Sequence, residues 1–396
     1  MGNDQLASIG WSAASNAFVA GQAAARIALQ RLSVRQPRCV LVFGSSWFDQ
    51  SKLLEGVHNV FDGIPIVGGS TAGEITPEGP KSHSCVVLAM AYEDVAVSLG
   101  TGTELQQHPR LAGHQAAQQA VKQFNGQTRS GFLMFGDGLL TGYAEVLRGI
   151  QEVLGTSSLV TGGLMGDDLR FVQTYQYAQQ QVFSQAIVGL LLGGSCTIGV
   201  GLEHGFAPIS KPRRITRATA NILLELDGQP ASSVYEDYFG SSVLGTIQQA
   251  GFTRQLVAYP LGIQQEARDP FLLRNVMAFG EDGSVVCTGE IPEGAWLQLM
   301  IGSKGLALEA ASRAAQTAVR PLRDVRFALV FDSVVRLKLL GQEAQREIAC
   351  IRQILGPSTP LIGCYTYGEQ APLGKPYAYG HSSMQTGSVL VIAIGL

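Results

Sequence analysis

Gly68-Gly69-Ser70-Thr71-Ala72-Gly73-Glu74 has a counterpart near the far end of the chain, Gly363-Cys364-Tyr365-Thr366-Tyr367-Gly368-Glu369. The two segments share the pattern G-x-x-T-x-G-E, and each follows a short apolar run that contains a proline. The pattern predicts a buried strand that enters a glycine-rich turn and ends on a carboxylate. Because glycine allows positive φ and close approach by other groups, such a turn is either a packing device or the wall of a ligand site.

Three units of the chain repeat one order of predicted elements: a buried strand, a helix, a second strand and a glycine-rich turn. Unit A spans residues 39–74, unit B residues 132–168 and unit C residues 327–369. One more strand is predicted after each unit, at residues 84–90, 186–192 and 388–393. Unit B lacks the threonine and has a shorter turn. The irregular spacing favours ancestral duplication over a solenoid, which keeps a fixed period.

Length and composition predict the fold class. The chain has 396 residues, which exceeds one typical domain of about 100–200 residues. With 46% hydrophobic and 15% charged residues, it has the composition of a globular protein. We predict an α/β fold of two related halves, with mixed sheets flanked by helices. The predicted domains are residues 35–228 and 229–396, divided at the turn Asp227-Gly228, and a helix within residues 1–34 packs on the first domain.

Charge, hydropathy and cysteine usage narrow the function classes. The formal net charge of -3 gives no electrostatic basis for nucleic-acid binding. The longest apolar runs are far shorter than the ~20 residues of a membrane-spanning helix, and the N-terminal residues resemble no secretion signal. The six cysteines are scattered singly, which is typical of reduced core residues. We expect a cytoplasmic protein that binds neither nucleic acid nor membrane.

Familiar catalytic motifs do not occur in the sequence. It has no G-x-S-x-G nucleophile motif, no complete dinucleotide-binding fingerprint, no phosphate-loop lysine pattern and no H-E-x-x-H zinc motif. An enzyme would therefore lack a recognisable mechanism, and we favour a binding protein over a catalyst.

The chain resembles the FIST family in four segments: residues 66–74, 215–218, 224–231 and 361–372, of which the last is the most specific match. The resemblance covers residues 35–390, with residues 35–228 similar to the FIST N-terminal domain and residues 229–396 to the FIST C-terminal domain. The family often has a cysteine at the position of Ser333 and an arginine three residues later, which Arg336 matches. A His-Asn-x-Thr element is represented only loosely, because His381 is displaced from Thr386.

This resemblance implies a bacterial sensory module. Such a module binds a small molecule, for example an amino acid, and signals to another protein such as a histidine kinase or a cyclase. A subset of the family is similar to haem-binding nitric-oxide sensors. Since the sequence has no recognisable kinase, cyclase or DNA-binding segment, we expect the protein to act on a separate partner, with a homodimer as one arrangement.

The first candidate ligand site combines the carboxylates of the two G-x-x-T-x-G-E segments. If units A and C are related by pseudo-symmetry, Glu74 and Glu369 could face each other at the domain junction, where they would bind a ligand amine or act as an acid and a base. Thr71 and Thr366 belong to the same segments. The alternative is that each carboxylate accepts hydrogen bonds from amides of its own turn.

Aromatic and cationic residues complete the candidate set. Tyr365 and Tyr367 lie on either side of Thr366 and would line a small pocket or pack at a strand end. Arg217 and Arg336 stand alone beside apolar strands, and each would clamp a ligand carboxylate or form an internal ion pair.

His204 is the candidate haem ligand, a role that rests on the resemblance. A neutral imidazole there would be the axial ligand, and Gly205 would admit the flat macrocycle. A histidine that only forms hydrogen bonds is the alternative, so the cofactor stays unknown, with haem as one option.

The leading functional hypothesis is a sensor whose two halves close around a small ligand. Charge pairing at Glu74, Glu369 and Arg217 would drive this closure. The alternatives are a haem-based nitric-oxide sensor, an enzyme that uses the carboxylate pair at the domain junction, and a scaffold.

Overall fold

The protein, represented by a computed structural model, has the mixed α/β fold that the sequence predicts. The structure describes residues 5–33, 36–124, 127–240, 257–264, 270–372 and 382–396. The helices in these ranges are α1 (Ala17–Arg31), α2 (Gln50–His58), α3 (Pro109–Gln123), α4 (Tyr143–Leu154), α5 (Ser233–Phe239), α6 (Lys304–Val319), α7 (Val334–Leu340) and α8 (Ala344–Leu355). A 3₁₀ turn, Gly341–Glu343, interrupts the single helix predicted in unit C.

The strands alternate with these helices along the chain. The first thirteen are β1 (Ala7–Ser12), β2 (Cys39–Ser45), β3 (Ile66–Thr71), β4 (Glu74–Thr76), β5 (Gly79–Lys81), β6 (Cys85–Met90), β7 (Val95–Gly102), β8 (Arg129–Asp137), β9 (Val160–Met165), β10 (Gln176–Ala178), β11 (Gln181–Phe183), β12 (Ile187–Gly194) and β13 (Thr197–Glu203). The others in the described residues are β14 (Phe206–Pro208), β15 (Arg213–Thr219), β16 (Ile222–Leu226), β17 (Gln229–Pro230), β18 (Leu261–Gln264), β19 (Leu272–Arg274), β20 (Val276–Phe279), β21 (Val285–Cys287), β22 (Trp296–Gly302), β23 (Val325–Ser333), β24 (Leu361–Thr366), β25 (Gly368–Pro372), β26 (Ser382–Gln385) and β27 (Val389–Gly395).

Three sheets in the described residues have six strands each and share one internal order. These orders are β1-β6-β2-β3-β10-β11, β7-β12-β8-β9-β25-β26 and β13-β27-β23-β24-β4-β5. The two central strands of each sheet are parallel, and their outer neighbours run antiparallel to them. Units A, B and C are the central parallel pairs, so the predicted repeat is confirmed. Each repeat also includes an edge strand and a helix that packs on it, α1 on β1, α3 on β7 and α6 on β13.

Each repeat sends a short hairpin into the sheet of another repeat. The hairpin β4–β5 follows β3 and pairs with β24 in the third sheet. The hairpin β25–β26 follows β24 and pairs with β9 in the second sheet, and β10–β11 follows β9 and pairs with β3 in the first. Because every six-stranded sheet contains strands from two repeats, the repeats are not separate domains.

Three phenylalanine rings meet where the three sheets converge. Phe43, Phe135 and Phe331 occupy equivalent positions of β2, β8 and β23, each opposite the second residue of a glycine segment. Their ring centroids lie 5.8 to 6.1 Å apart, and all three side chains are fully buried. The rings belong to one hydrophobic cluster that joins the inner faces of the sheets.

The first glycine of each G-x-x-T-x-G-E segment lies inside a strand and not in the predicted turn, whereas Gly73, with φ of 134°, lies in the bend between β3 and β4. Gly68 is in β3 and Gly363 is in β24. A Cβ on Gly68 would lie 1.8 Å from the carbonyl oxygen of Val42, and one on Gly363 would lie 2.1 Å from that of Val330. Glycine is therefore required by the close approach of the parallel neighbour, and the chain bends only after the threonine.

A nine-stranded sheet, β14 to β22, is inserted between β13 and α6 of the third repeat. The domain boundary predicted at residue 228 falls inside this inserted sheet, because β16 and β17 on either side of it pair with each other. Asp227 and Gly228 form the predicted turn, with φ of 52° and 75°. The inserted sheet has a hydrophobic cluster of its own.

Among the described residues, no helix is both long and apolar enough to cross a membrane. All six cysteines are free thiols, and five of them are buried. This agrees with the prediction that they are core residues.

Replacing Phe331 with alanine should destabilise the protein by about 3–5 kcal/mol, because it removes one of three mutually packed rings. Phe43→Ala and Phe135→Ala should have similar effects, since the three positions are equivalent. Urea unfolding followed by circular dichroism measures the change. Leu111→Ala is the control, because Leu111 is 49% exposed on α3 and its loss should cost less than about 1 kcal/mol. Equal effects at Phe331 and Leu111 would contradict a central role for the rings.

Candidate functional site

Glu74 is enclosed by hydrogen-bond donors of its own repeat. Thr71 Oγ1 donates to Glu74 Oε1 at 2.6 Å. The hydroxyl and the backbone N–H of Ser84 donate to Oε2 at 2.6 and 3.1 Å. All three residues are fully buried. The carboxyl thus ties the end of β3 to β4 and to the residue before β6.

Glu369 is held in the same way in the third repeat. Thr366 Oγ1 donates to its Oε1 at 2.7 Å, and the Ser388 hydroxyl and N–H donate to its Oε2 at 2.6 and 3.3 Å. Burial raises the pKa of both Glu369 and Glu74 to about 8, against the opposing effect of these hydrogen bonds. The two carboxyls do not bond each other. The geometry matches the structural alternative, with serine and threonine donors, and not a carboxylate pair at a domain junction.

Arg336 forms an internal ion-pair network. Its side chain is fully buried, and Nε donates to Asp332 Oδ1 at 3.0 Å while Nη2 pairs with Glu347. Nη1 and Nη2 also donate to the carbonyl oxygens of His204 and Ala307, at 2.6 and 2.9 Å. The guanidinium thus joins α7 to α8, α6 and the residues after β13. The ligand-clamp hypothesis for Arg336 does not fit this position, because its donors serve the protein's own acceptors.

Arg217 and Tyr365 also occupy positions that fit structural roles. Arg217 pairs with Glu225 at 2.9 Å on the exposed side of β15, which is the internal pair that the sequence offers as its alternative. Such exposed pairs contribute about 0–1 kcal/mol. Tyr365 is fully buried, and its hydroxyl has no hydrogen-bond partner among the described residues. Its pKa is raised by burial and by the nearby Asp332 and Glu347 carboxyls.

Tyr367, one of the predicted ligand residues, lines a cavity. Its hydroxyl donates to the Asp167 carboxylate and accepts the N–H of Leu169 at 2.9 Å. Its ring stacks on Phe171, with centroids 5.0 Å apart and an interplanar angle of 20°. Asp167 also accepts the N–H of Phe171 at 2.9 Å. These bonds fix the loop after β9 and hold Phe171 beside Tyr367.

A cavity of about 200 Å³ lies between the second and third repeats and the inserted sheet. Its repeat side is formed by residues that follow β8, β23 and β24, at the carboxyl ends of parallel strands, where open α/β sheets bind ligands. The inserted sheet closes the opposite side. The lining residues are Gly138, Leu139, Leu140, Thr141, Phe171, Asn221, Asn275, Met277, Cys287, Thr288, Ser333, Val334, Val335, Tyr367 and Thr386. No charged side chain is among these described residues, which favours a neutral polar ligand group.

Asn275 has an unpaired side-chain amide in the wall of this cavity. The residue is 1% exposed, and neither Oδ1 nor Nδ2 has a hydrogen-bond partner in the described part of the chain. Its backbone N–H donates to Thr288 Oγ1 at 3.0 Å, and the Thr288 and Thr386 hydroxyls lie 3.2 Å apart. An unsatisfied buried polar group costs about 1–3 kcal/mol. A ligand amide, hydroxyl or carbonyl in the cavity would remove this cost.

Two further polar residues of the cavity have protein partners. Ser333, at the position where the resemblance implies a cysteine, accepts the N–H of Gly387 at 3.0 Å and keeps its own proton for donation. Asn221 donates to the carbonyl of Cys287 at 2.9 Å. The cavity therefore offers one free amide and several hydroxyls beside two aromatic rings.

The arrangement around His204 does not fit a haem ligand. His204 Nδ1 accepts the N–H of Phe206 at 3.0 Å. The ring proton must then sit on Nε2, which leaves that nitrogen no lone pair for iron. Burial lowers the pKa of His204 to about 4, so the ring is neutral. His381 lies outside the described residues, and within these no group of three or more His, Cys, Asp or Glu side chains could hold a metal ion.

The sequence did not indicate Asn275, Thr288 or Phe171 as site residues. They lie in the inserted sheet and in a loop, and only tertiary packing brings them beside Tyr367. One signal was present: Arg274-Asn275 interrupts the otherwise apolar residues 271–279. Polar residues in such a run are seldom buried without a reason.

The sequence matches two known domain families, the FIST N domain over residues 38–229 and the FIST C domain over residues 231–372. It is 28% identical over 164 residues to an uncharacterized protein of Methanocaldococcus jannaschii and 24% identical over 239 residues to one of Mycobacterium tuberculosis. These alignments cover 38% and 57% of the chain but 31% and 58% of the relatives, so the chain spans less than two thirds of their length.

One solved structure, a cyanuric acid hydrolase from A. caulinodans, aligns over 99% of both chains. The sequence identity is 11% and the TM-score is 0.36. Similarity at this level carries no argument about fold or activity.

Replacing Glu74 and Glu369 together with glutamine should flatten the pH dependence of stability. The folded pKa of each carboxyl, about 8, is above the unfolded value of about 4.3. The stabilising contribution of each carboxyl to the free energy of unfolding is therefore complete below about pH 4. It decreases by on the order of 4 kcal/mol as the pH rises towards 8. Glutamine keeps hydrogen bonds to the serine and threonine but does not titrate.

Urea unfolding at about pH 5, 6.5 and 8 measures this effect. Glu309→Gln is the matched control, because the Glu309 side chain is 69% exposed. Native and double-variant proteins with parallel pH profiles would show that the two carboxyls are ionised in the folded state.

Proposed function

The chain belongs to the FIST family, and we propose that it is a cytoplasmic sensory protein that binds a small polar ligand in the cavity around Asn275. FIST domains are small-ligand-binding signalling domains. The ligand signal passes to a separate partner such as a histidine kinase or a cyclase. Six free thiols suit a reducing compartment.

The unpaired amide of Asn275 is the observation that carries this proposal. A buried amide can form several hydrogen bonds, and this one forms none with described residues through its side chain. A purely structural role would favour an apolar residue of similar volume. The Ser333 hydroxyl supplies a further donor. The Thr288 and Thr386 hydroxyl oxygens supply further acceptors, because the Thr386 proton is donated to the Leu273 carbonyl and the Thr288 proton to Thr386.

The signal arises from closure of the inserted sheet on the three repeats. Asn275 and Thr288 come from the inserted sheet, whereas Tyr367 and Ser333 come from the repeats. A ligand that contacts both sides binds the closed state more tightly and shifts the population towards it. The hairpin exchange locks the repeats together, so this movement replaces the closure of two sequence halves that Glu74, Glu369 and Arg217 were expected to drive.

Asn275→Leu should separate ligand binding from stability. Leucine removes the unsatisfied amide at similar volume, so the unliganded protein should keep its stability or gain about 1 kcal/mol. Ligand affinity should fall about tenfold to a hundredfold, because the amide's hydrogen bonds to the ligand are lost. Small molecules released from the purified protein are identified by mass spectrometry, and their binding to both proteins is measured by calorimetry.

Asn221→Leu provides the matched control, since the Asn221 amide already donates to the protein. It should lower the stability of the unliganded protein, which Asn275→Leu should not do. The proposal fails if no released or added metabolite binds the native chain, or if Asn275→Leu binds the ligand as tightly as the native chain does.

A further inference from the structure

A second cavity, of about 470 Å³, adjoins the first at Thr141, which lines both. One wall is the first turn of α4, and the other belongs to the inserted sheet. Leu147, Leu272 and Met384 give much of the lining an apolar character. The chamber thus adjoins the Asn275 site but has different chemistry, because a buried cation lines it.

Arg274 supplies this cation. The residue is 5% exposed, and its Nε and Nη1 each donate to a backbone carbonyl, those of Glu290 and Leu273, both at 2.9 Å. Within the described ranges no carboxylate lies within ion-pair distance of its guanidinium. Burial lowers the pKa of Arg274 to about 10, which leaves it charged at neutral pH. A buried charge with only neutral acceptors is costly unless a counterion joins it.

The N-terminus of α4 faces the same chamber. Its N-cap is Gly142, with φ of 85° and no side chain to accept the first N–H groups of the helix. Thr141, Gly142, Tyr143 and Ala144 all line the cavity. The N–H groups of Tyr143 and Ala144 have no acceptor among the described residues, whereas that of Glu145 donates to the Gly142 carbonyl. The Glu145 side chain pairs with Arg148, so the two N–H groups and the positive end of this 12-residue helix attract an anion. Two independent features, the helix end and the guanidinium, therefore converge on one space.

One acidic residue lines this chamber as well. The Glu290 side chain is exposed, so solvent screens its charge. One buried cation opposed by a screened carboxylate suits a monoanion better than a doubly charged phosphate. The apolar walls suit an organic acid.

We propose that this second cavity binds the carboxylate of a small organic acid between Arg274 and the first turn of α4. The apolar part of the acid contacts Leu147, Leu272 and Met384. The inference rests on the proposed function in one respect: acid binding would be part of the sensed signal. A polar group of the same ligand would then reach Asn275 past Thr141.

Calorimetry on the full chain tests this site with propionate, benzoate and phenylacetate, each beside its primary amide. At least one acid should bind, and its amide should bind at least tenfold more weakly. Arg274→Met should weaken binding of that acid at least tenfold, and Arg274→Lys should weaken it less. Arg346→Met is the control, because Arg346 is an exposed residue of α8 outside the cavity.

Ala144→Trp is a second variant that leaves Arg274 intact. Ala144 is exposed at the first turn of α4, so tryptophan there should fold normally and obstruct the chamber. It should abolish acid binding. If Arg274→Met does not fold, this variant still tests whether the acid binds in this cavity.

Several results would overturn the inference. These are equal binding of acid and amide, unchanged affinity in Arg274→Met or Ala144→Trp, failure of all three acids to bind the native chain, and tighter binding of inorganic phosphate than of any acid. If binding of a released metabolite is weakened by Asn275→Leu but not by Arg274→Met, the proposed carboxylate site is wrong while the proposed function stands. If acids bind through Arg274 but Asn275→Leu does not weaken binding of the released metabolite, the proposed function is wrong instead.

Discussion

The exchange of hairpins among the three sheets is the constraint on which the other features depend. Glu74 begins the exchanged strand β4, and Glu369 lies in the exchanged strand β25. Each carboxyl receives hydrogen bonds from the threonine that ends the preceding strand and from the serine that precedes the closing strand. The buried glutamates therefore fix the points where the chain passes from one sheet to another. In the second repeat Asp168 reaches instead to Ser45 and Ser46 of the first repeat.

The candidate sites occur where the threefold repetition is broken. The repeats share their strand order, the central phenylalanines and the alanine-rich helices, but only the third repeat carries the inserted sheet. That sheet covers the carboxyl ends of parallel strands in the second and third repeats, which leaves the two cavities between them. The buried network of Arg336, Asp332 and Glu347 lies beneath this region and holds α7 to α8. The inserted sheet has its own hydrophobic cluster and also packs on α6, α7 and α8 through a second cluster that includes Phe206, Leu273 and Met300. A ligand-dependent movement of the sheet would therefore hinge on this second contact.

Local patterns were sufficient to predict the elements of the fold. Alternation between apolar strand and amphipathic helix placed units A, B and C, and α4 was predicted at its observed residues 143–154. The exchange could not be predicted, since pairing of Cys364 with Glu74 depends on contacts between distant parts of the chain. The same limit applied to the site. Glu74, Glu369 and Arg336 are charged residues that the sequence makes candidates, but the structure buries them in hydrogen-bonded or ion-paired positions. Asn275 becomes a candidate only when the structure shows that its buried amide is unpaired among the described residues.

The hairpin exchange also bears on how the chain folds during synthesis. The strand β4 leaves the ribosome early, yet its partner β24 is among the last strands to be made. Until then β4 and the outer edge of β9 have unpaired backbone groups, which favour association with other chains. Long-range pairing of this kind slows folding. A fragment that ends before the third repeat would keep these edges open, so the two FIST regions are expected to be cooperative in folding although they are consecutive in sequence.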